Sequence, residues 1–241
     1  SDETVSLFAR FLFLIQDKRN GNFDGYNIGF PYTGADGQVK GYEIRGYGGY
    51  KSKAAGTDSS SAAWVADFSD GNPEAVRSVF FSESAFDAMA FHQMNRNLLH
   101  PDMALVSLGG TFSDNQITGV MERFPNAKAF DCFDNDIAGR IYGLRIIGLL
   151  EGIPMRISKA EDGLQVEAGG KSFAVHPGKP LASQLAAHLP VRYRTGQWLP
   201  PKAFKDWNDC LLNKPVAQVL APCKEERDRN LAERRKGGFK M

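Results

Sequence analysis

The chain has 241 residues, 42% hydrophobic and 24% charged, enough apolar mass for one large domain or two modest ones, which excludes a chain disordered as a whole. A formal net charge of +1 provides no global field for a polyanion, so a nucleic-acid surface has to be a local patch. Cys132, Cys210 and Cys223 lie far apart, without a CxxC pair or zinc-ligand spacing, and read as reduced thiols in cytoplasm.

Near the start, "SLFARFLFLI" places Leu7, Phe8, Phe11, Leu12 and Ile15 at helical spacing, although so short a run also suits a strand. Closed by Asp17-Lys18-Arg19, it falls far short of the roughly 18 apolar residues of a membrane span, and no signal peptide or anchor is expected. The chain opens on Ser1 rather than Met, consistent with its being part of a longer protein. From Asn27 to Asp67 the text is strand-like: "YNIGFPY", a turn at Ala35-Asp36-Gly37, "QVKGYEIRG" and "AAWVADF", a small antiparallel unit.

After Pro73 short apolar runs alternate with helix-period segments: "SVFF" with "ESAFDAMAFHQM", "ALVSL" with "DNQITGVMERF", "KAFDCF" with "DIAGRIYGLRIIGLL". Such alternation predicts a parallel sheet with helices on its faces, since parallel strands need crossover connections. "GIPMRIS" starts a further strand, "GLQVEAGGKSFAVHP" reads as a hairpin about Ala168-Gly169-Gly170, "LASQLAAHL" as a helix, and "VRYR" resumes strand character. The expected organisation is a β-rich subdomain over 1–75, an α/β domain over 76–215 with an insertion at about 158–190, and a charged tail over 216–241.

In open parallel sheets ligands collect beyond the carboxyl ends of strands. Those positions hold Ser82-Glu83, Leu108-Gly109-Gly110-Thr111 and Asp134-Asn135-Asp136. With neighbouring strands about 4.8 Å apart, adjacency of the first and third brings Glu83, Asp134 and Asp136 into one small volume. Like charges at 4 Å cost about 4 kcal/mol at an effective dielectric near 20, so either a carboxyl takes a proton or a divalent cation settles among them. Mg²⁺, which binds through one or two carboxylates plus waters and phosphates, suits the pattern, and Mn²⁺ can replace it. A plainer account stands beside it: Asp134 or Asp136 as a helix N-cap, Glu83 as a first-turn acid, and Gly109-Gly110 as an ordinary turn. Asp87, one turn beyond Glu83, reads as a helix-surface acid, and His92, His100, His176 and His188 as structural or surface residues.

Taken together, "VFFSESAFDAMAF", "SLGGTFS" and "FDNDIAGR" resemble, in order and spacing, the motifs of the Toprim domain of topoisomerases, bacterial-type primases and several nucleases. "KAFKDWNDCL" is similar to the Lys-Asp-x-Asn-Asp ending of primase-type members, and "FPYTGADGQVKGYEIRG" with "KSKAAGTDSSSAAWV" to the segment before Toprim in primase-like proteins of bacterial mobile elements. The resemblance implies a Toprim-like parallel sheet flanked by helices behind a small antiparallel β-rich subdomain. It implies metal ligation by Asp134 and Asp136, with Glu83 as ligand or general acid/base, and roles for Lys205, Asp206 and Asp209, the two acids as further metal ligands. Gly109, Gly110 and Thr111 would form a phosphate loop. Asn135 stands where many primases carry Gly, a position its tolerance of left-handed backbone accommodates.

The implied activity is primase-like nucleotidyl transfer on single-stranded DNA or RNA, with nucleotides and a helicase or other replication or mobilisation protein as partners. A Toprim nuclease and a non-catalytic recruitment module are the alternatives. Zinc-ribbon cysteines and a defensible tyrosine nucleophile are missing, so topoisomerase activity by this chain alone is not expected. For the nucleic acid, Arg45, Lys51 and Lys53 interleaved with Tyr42, Tyr47 and Tyr50 offer cations and stacking rings, and Arg140 and Lys205 offer cations nearer the acids. Equally, the tyrosines read as half-exposed aromatics packed on the core.

Overall fold

The computed structural model describes residues 1–16, 25–192 and 194–216. Its strands are β1 (Phe13–Ile15), β2 (Asn27–Thr33), β3 (Val39–Arg45), β4 (Lys51–Lys53), β5 (Ala63–Asp67), β6 (Ser78–Ser82), β7 (Met103–Ser107), β8 (Lys128–Asp131), β9 (Met155–Ala160), β10 (Gly163–Ala168), β11 (Lys171–Val175) and β12 (Thr195–Gln197). Helices are α1 (Asp2–Phe8), α2 (Ala85–Asn95), α3 (Asp114–Arg123), α4 (Ile137–Glu151), α5 (Leu181–Ala186) and α6 (Trp207–Leu211). Both readings of the first apolar run hold in part, since it supplies the end of α1 and then β1. The charged segment after β1 and the tail from residue 217, with Cys223, lie outside the described residues.

One nine-stranded sheet runs in the order β12-β8-β6-β7-β5-β2-β3-β4, with β1 also on β2. β12, β8, β6 and β7 are parallel, whereas β5 joins β7 antiparallel, Trp64 opposite Ser107. The N-terminal antiparallel region therefore continues the parallel sheet through a hydrogen-bonded ladder, and covers an edge that β7 would otherwise leave open.

β6 and β7 are nearly continuous apolar runs because helices cover both faces. Alternation then sorts their side chains. Phe80 and Leu105 enter a core with Tyr32, Trp64, Phe91 of α2 and Trp207 of α6, while Phe81 and Val106 enter another with Ile117 and Val120 of α3 and Ile146 of α4. Gly152, left-handed at φ 68°, ends α4 by donating to the carbonyls of Gly148 and Leu149.

After that turn the chain leaves the main sheet. β9, β10 and β11 form a separate antiparallel sheet whose Leu164, Val166, Phe173 and Val175 pack with Leu181 and Leu185 of α5 and Leu144 and Ile147 of α4. Its first strand already begins at Met155, and the hairpin pairs Ala168 with Lys171 about Gly169-Gly170. The return strand β12 starts at Thr195, just past "VRYR". Among the described residues no helix is long and apolar enough to cross a membrane.

Leu185 is fully buried where α5 meets the small sheet. Leu185→Ala is expected to lower stability by about 2–5 kcal/mol through the cavity it leaves, measured by urea unfolding.

Candidate active site at the strand ends

β6 lies between β8 and β7, with Phe81 opposite Asp131 and Ser82 opposite Ser107, so three chain segments leave the same sheet edge side by side. Their first residues stay tied: Cys132 N donates to Phe81 O at 2.9 Å, Leu108 N to Ser82 O at 3.1 Å, and Gly110 N to Glu83 O at 3.0 Å. Glu83 is thus set between the glycine loop and the acid loop. With its N–H directed to Glu83, Gly110 positions that residue's backbone and does not present this N–H to a phosphate. Thr111 is exposed, its hydroxyl 3.3 Å from Tyr142 Oη. Ser84 caps α2, accepting from Asp87 N at 3.2 Å.

The acid that ends β8, ahead of the Asp134-Asn135-Asp136 loop, is structural. Asp131 is buried, accepting from Phe133 N at 3.1 Å and Gln197 Nε2 at 2.9 Å. Asp136 caps α4, Oδ1 accepting from Gly139 N at 2.9 Å, while its Oδ2 lies 3.7 Å from Lys205 Nζ. Capping and charge pairing therefore coexist in one side chain. Gly139 has a specific cause: a β-carbon there would sit 2.2 Å from Asp134 O, so only glycine lets α4 begin this close beneath the loop.

Two expectations are corrected here. Arg140, read as a nucleic-acid contact, is fully buried; its Nη2 donates to Phe133 O at 3.3 Å and Asp134 O at 2.7 Å, holding the acid loop from below. Asn135 does not use left-handed backbone. Its buried amide donates to Pro200 O at 2.8 Å and Phe204 O at 3.0 Å, and its N–H to Lys205 O at 2.6 Å. This staple carries the segment before α6 onto the acid loop, which places Lys205 Nζ 3.0 Å from Asp134 Oδ2.

Electrostatics record the crowding. Burial, then Asp134 and Asp136, push Glu83 up to about 8, with Lys205 opposing. Asp134 rises to about 6 because burial, with Asp206 and Asp136, outweighs its bond to Lys205. Burial works against the Lys205 ammonium, but Asp134, Asp136 and Asp206 outweigh it and hold that group above the ordinary lysine range.

Asp87 is not a helix-surface acid. It is buried, receives Ser84 Oγ at 2.5 Å and Asn208 N at 3.3 Å, and is pushed up to about 7 by burial, with Asp206 and Asp134 adding to it. It docks α6 on α2. Asp206 caps α6, accepting from Asp209 N at 2.6 Å, and Asp209 follows, half-buried, in the first turn. Among the described residues no three His, Cys, Asp or Glu side chains stand close enough to hold a metal ion together, so the five acids named as ligands are not a preformed cage. The donors do fit Mg²⁺ held by one or two carboxylates: Asp134 and Asp136 already flank one cationic group, and the buried Oε1 of Glu83 has no partner.

A second charged group backs the glycine loop. Glu43, buried in β3, accepts from Tyr32 Oη at 2.9 Å and Arg45 Nε at 2.5 Å. A β-carbon on Gly109, at φ 74°, would lie 1.8 Å from Tyr32 Oη, so the loop rests directly on this pair. Arg45 thus commits its Nε to Glu43 and sits over the Phe86 ring at 5.9 Å; its side chain is 20% exposed. Lys51 is exposed on β4 and Lys53 is half-buried, its Nζ 5.3 Å from the Tyr32 ring. Tyr42 packs edge-on against Phe13, whereas Tyr47 is 84% exposed. Sequence reasoning missed Tyr32, Glu43 and the bonding role of Asn135; an acid two positions before Arg45, on the same face of a strand, in "YEIRG" was the available signal for Glu43.

Glu83, Asp87 and Asp134 bind protons more tightly folded than unfolded, so their contribution to stability is full below the ordinary carboxylate range and is lost as pH rises through about 8. In the absence of divalent ions the melting temperature should fall between pH 5 and 8, and Glu83→Gln should flatten that fall, followed by calorimetry.

Residues 80–164 match the family model described as Toprim-like. No curated protein matches the chain. Among solved structures it is similar to the primase fragment of the bacteriophage T7 primase-helicase protein, at 14% identity over 97% of this chain and 70% of that one, TM-score 0.45. It is similar also to the RNA polymerase domain of Mycobacterium tuberculosis primase DnaG, at 13% identity over 91% and 63%, TM-score 0.42, and to a DNA primase domain from Pseudomonas aeruginosa, at 18% over 57% and 44%, TM-score 0.37. Glu83, the glycine pair and the acid loop all fall within the stretch, residues 80–164, that matches the Toprim-like model.

Proposed function

We propose that this chain is a Mg²⁺-dependent, primase-like nucleotidyl transferase acting on single-stranded DNA or RNA. The observation that carries the reading is Glu83: a carboxyl pushed up to about 8, with one buried unpartnered oxygen, facing Asp134, Asp136 and the Lys205 ammonium at the end of a parallel sheet. A group that exchanges its proton near neutral pH suits general acid/base work. In the step proposed, the 3′ hydroxyl of one nucleotide attacks the α-phosphorus of a nucleoside triphosphate; the new O–P bond forms, the bond to pyrophosphate breaks, and the hydroxyl proton passes to ionised Glu83. Asp134 and Asp136 would hold Mg²⁺, with Asp206 and Asp209 of the α6 start as further acids on its approach. When bound, Mg²⁺ supplies Lewis-acid polarisation of phosphate oxygens, and Mn²⁺ would substitute for it. Lys205 offers its charge to the same phosphates, and the Gly109-Gly110-Thr111 loop bounds the space they enter. The nucleic acid would follow β4 past Lys51, Lys53 and exposed Tyr47, with Arg45 held behind them by Glu43. A cytoplasmic setting, a helicase or mobilisation partner, and a role in replicating or transferring a mobile element rest on the family resemblance.

Purified protein with a single-stranded template, labelled nucleotides and Mg²⁺ should yield short products, and Glu83→Gln or Asp134→Asn should reduce the rate by about 10²–10⁴-fold. Shortening of a labelled strand without nucleotides would replace this reading with a nuclease. Biological activity that persists in both variants would replace it with a recruitment module. For the binding surface, affinity for single-stranded DNA should fall steeply with salt, and Lys51→Ala with Lys53→Ala should lower both the affinity and the salt slope, by about 0.7 for each phosphate no longer neutralised. Unchanged binding removes this surface.

A further inference from the structure

We propose that Lys205 is the site's own counter-cation, competing with divalent metal for Asp134 and Asp136, and that Asn135 is the positioning residue that holds it there. This rests on the metal-binding reading above but goes beyond it.

Lys205 comes from outside the Toprim-like stretch, about seventy residues downstream of the acids it meets, and its side chain is 46% exposed, so burial does not pin it. The pinning comes from Asn135. An amide carries two N–H donors, and Asn135 directs them to Pro200 O and Phe204 O while its backbone N–H goes to Lys205 O. The residue is only 6% exposed, which makes each of these bonds costly to leave unmade. Asn135 lies between the two aspartates in the chain, so the staple fixes Lys205 relative to the carboxylates its ammonium meets, Asp134 at 3.0 Å and Asp136 at 3.7 Å.

A lysine held this way has two consequences. While it stays, it neutralises part of the repulsion among Glu83, Asp134 and Asp136 without any ion from solution. When a divalent ion binds the aspartates, the ammonium has to leave, and its tether keeps it within reach of substrate phosphates. The apparent metal affinity is then reduced by the fraction of molecules in which Lys205 has vacated the carboxylates. If the ammonium occupies them about nine-tenths of the time, its removal strengthens binding by about tenfold.

The test is Mn²⁺ binding without nucleic acid or nucleotide, read by electron paramagnetic resonance and calorimetry on the full chain. Lys205→Met is expected to bind Mn²⁺ about tenfold tighter than the parent protein, and Lys205→Arg, which keeps the charge, to stay close to it. Asn135→Ala should tighten binding in the same direction, and Asn135→Ala combined with Lys205→Met should bind no tighter than Lys205→Met alone, because Asn135 acts through the lysine. Equal or weaker affinity in Lys205→Met overturns the competition. An Asn135→Ala protein that binds like the parent while Lys205→Met binds tighter overturns the positioning role. The two readings fail differently: absence of Mn²⁺ binding in both the parent and Lys205→Met defeats the metal site itself, whereas finite and equal affinities defeat only this inference.

Discussion

Carboxylates gathered at the end of a parallel sheet repel, and the rest of this site is built around that repulsion. Two unit charges at 4 Å cost about 4 kcal/mol at an effective dielectric near 20, comparable to a good fraction of a domain's net stability. The chain answers in several ways. Asp136 places one carboxylate oxygen against the first turn of α4, where the helix dipole favours its charge. Lys205 meets Asp134 and Asp136. Glu83 holds its proton up to about 8, and Asp87 up to about 7 while docking α6. Each device is local, yet all depend on β6 lying between β7 and β8.

The site is composite in sequence. Residues 80–164 supply Glu83, the glycine loop and the acid loop, but elements on either side complete them. From upstream, Tyr32 and Glu43 support the backbone of Gly109, which lacks a side chain because there is no room for one. From downstream, β12 ties Gln197 to Asp131, and the turn before α6 brings Lys205 and Asp206. The antiparallel strands β2 to β5 are hydrogen-bonded into the same sheet as the strands that end on the acids.

Much of this was legible in the sequence where the signal is local. Apolar runs followed by helix-period segments gave β6 to β8 with their helices, and residues after strand ends gave Glu83 and the acid loop. The hairpin at Gly169-Gly170 was visible in its glycines. What was not legible depends on contacts between distant positions. Arg140 follows the acids at a spacing that suits a solvent-facing cation, but the close approach of α4 to the loop that Gly139 allows draws it beneath, where the carbonyls of Phe133 and Asp134 accept from its Nη2. Asn135 looked like a conformational choice because its partners lie more than sixty residues away. Arg45 looked available to phosphate, yet Glu43 two positions earlier points to the same face of β3 and takes its Nε. The first apolar run was ambiguous because it serves two elements in turn.

The central claim is that Asp134 and Asp136, with Glu83 at the neighbouring strand end, form a site for a doubly charged cation. The most direct measurement is anomalous X-ray scattering from a crystal grown with Mn²⁺. The result expected is a peak bound to Asp134 and Asp136, facing Glu83, with Lys205 Nζ displaced from the 3.0 Å contact it makes with Asp134. A strong peak elsewhere on the chain, with Lys205 still seated between the aspartates at saturating Mn²⁺, would contradict it.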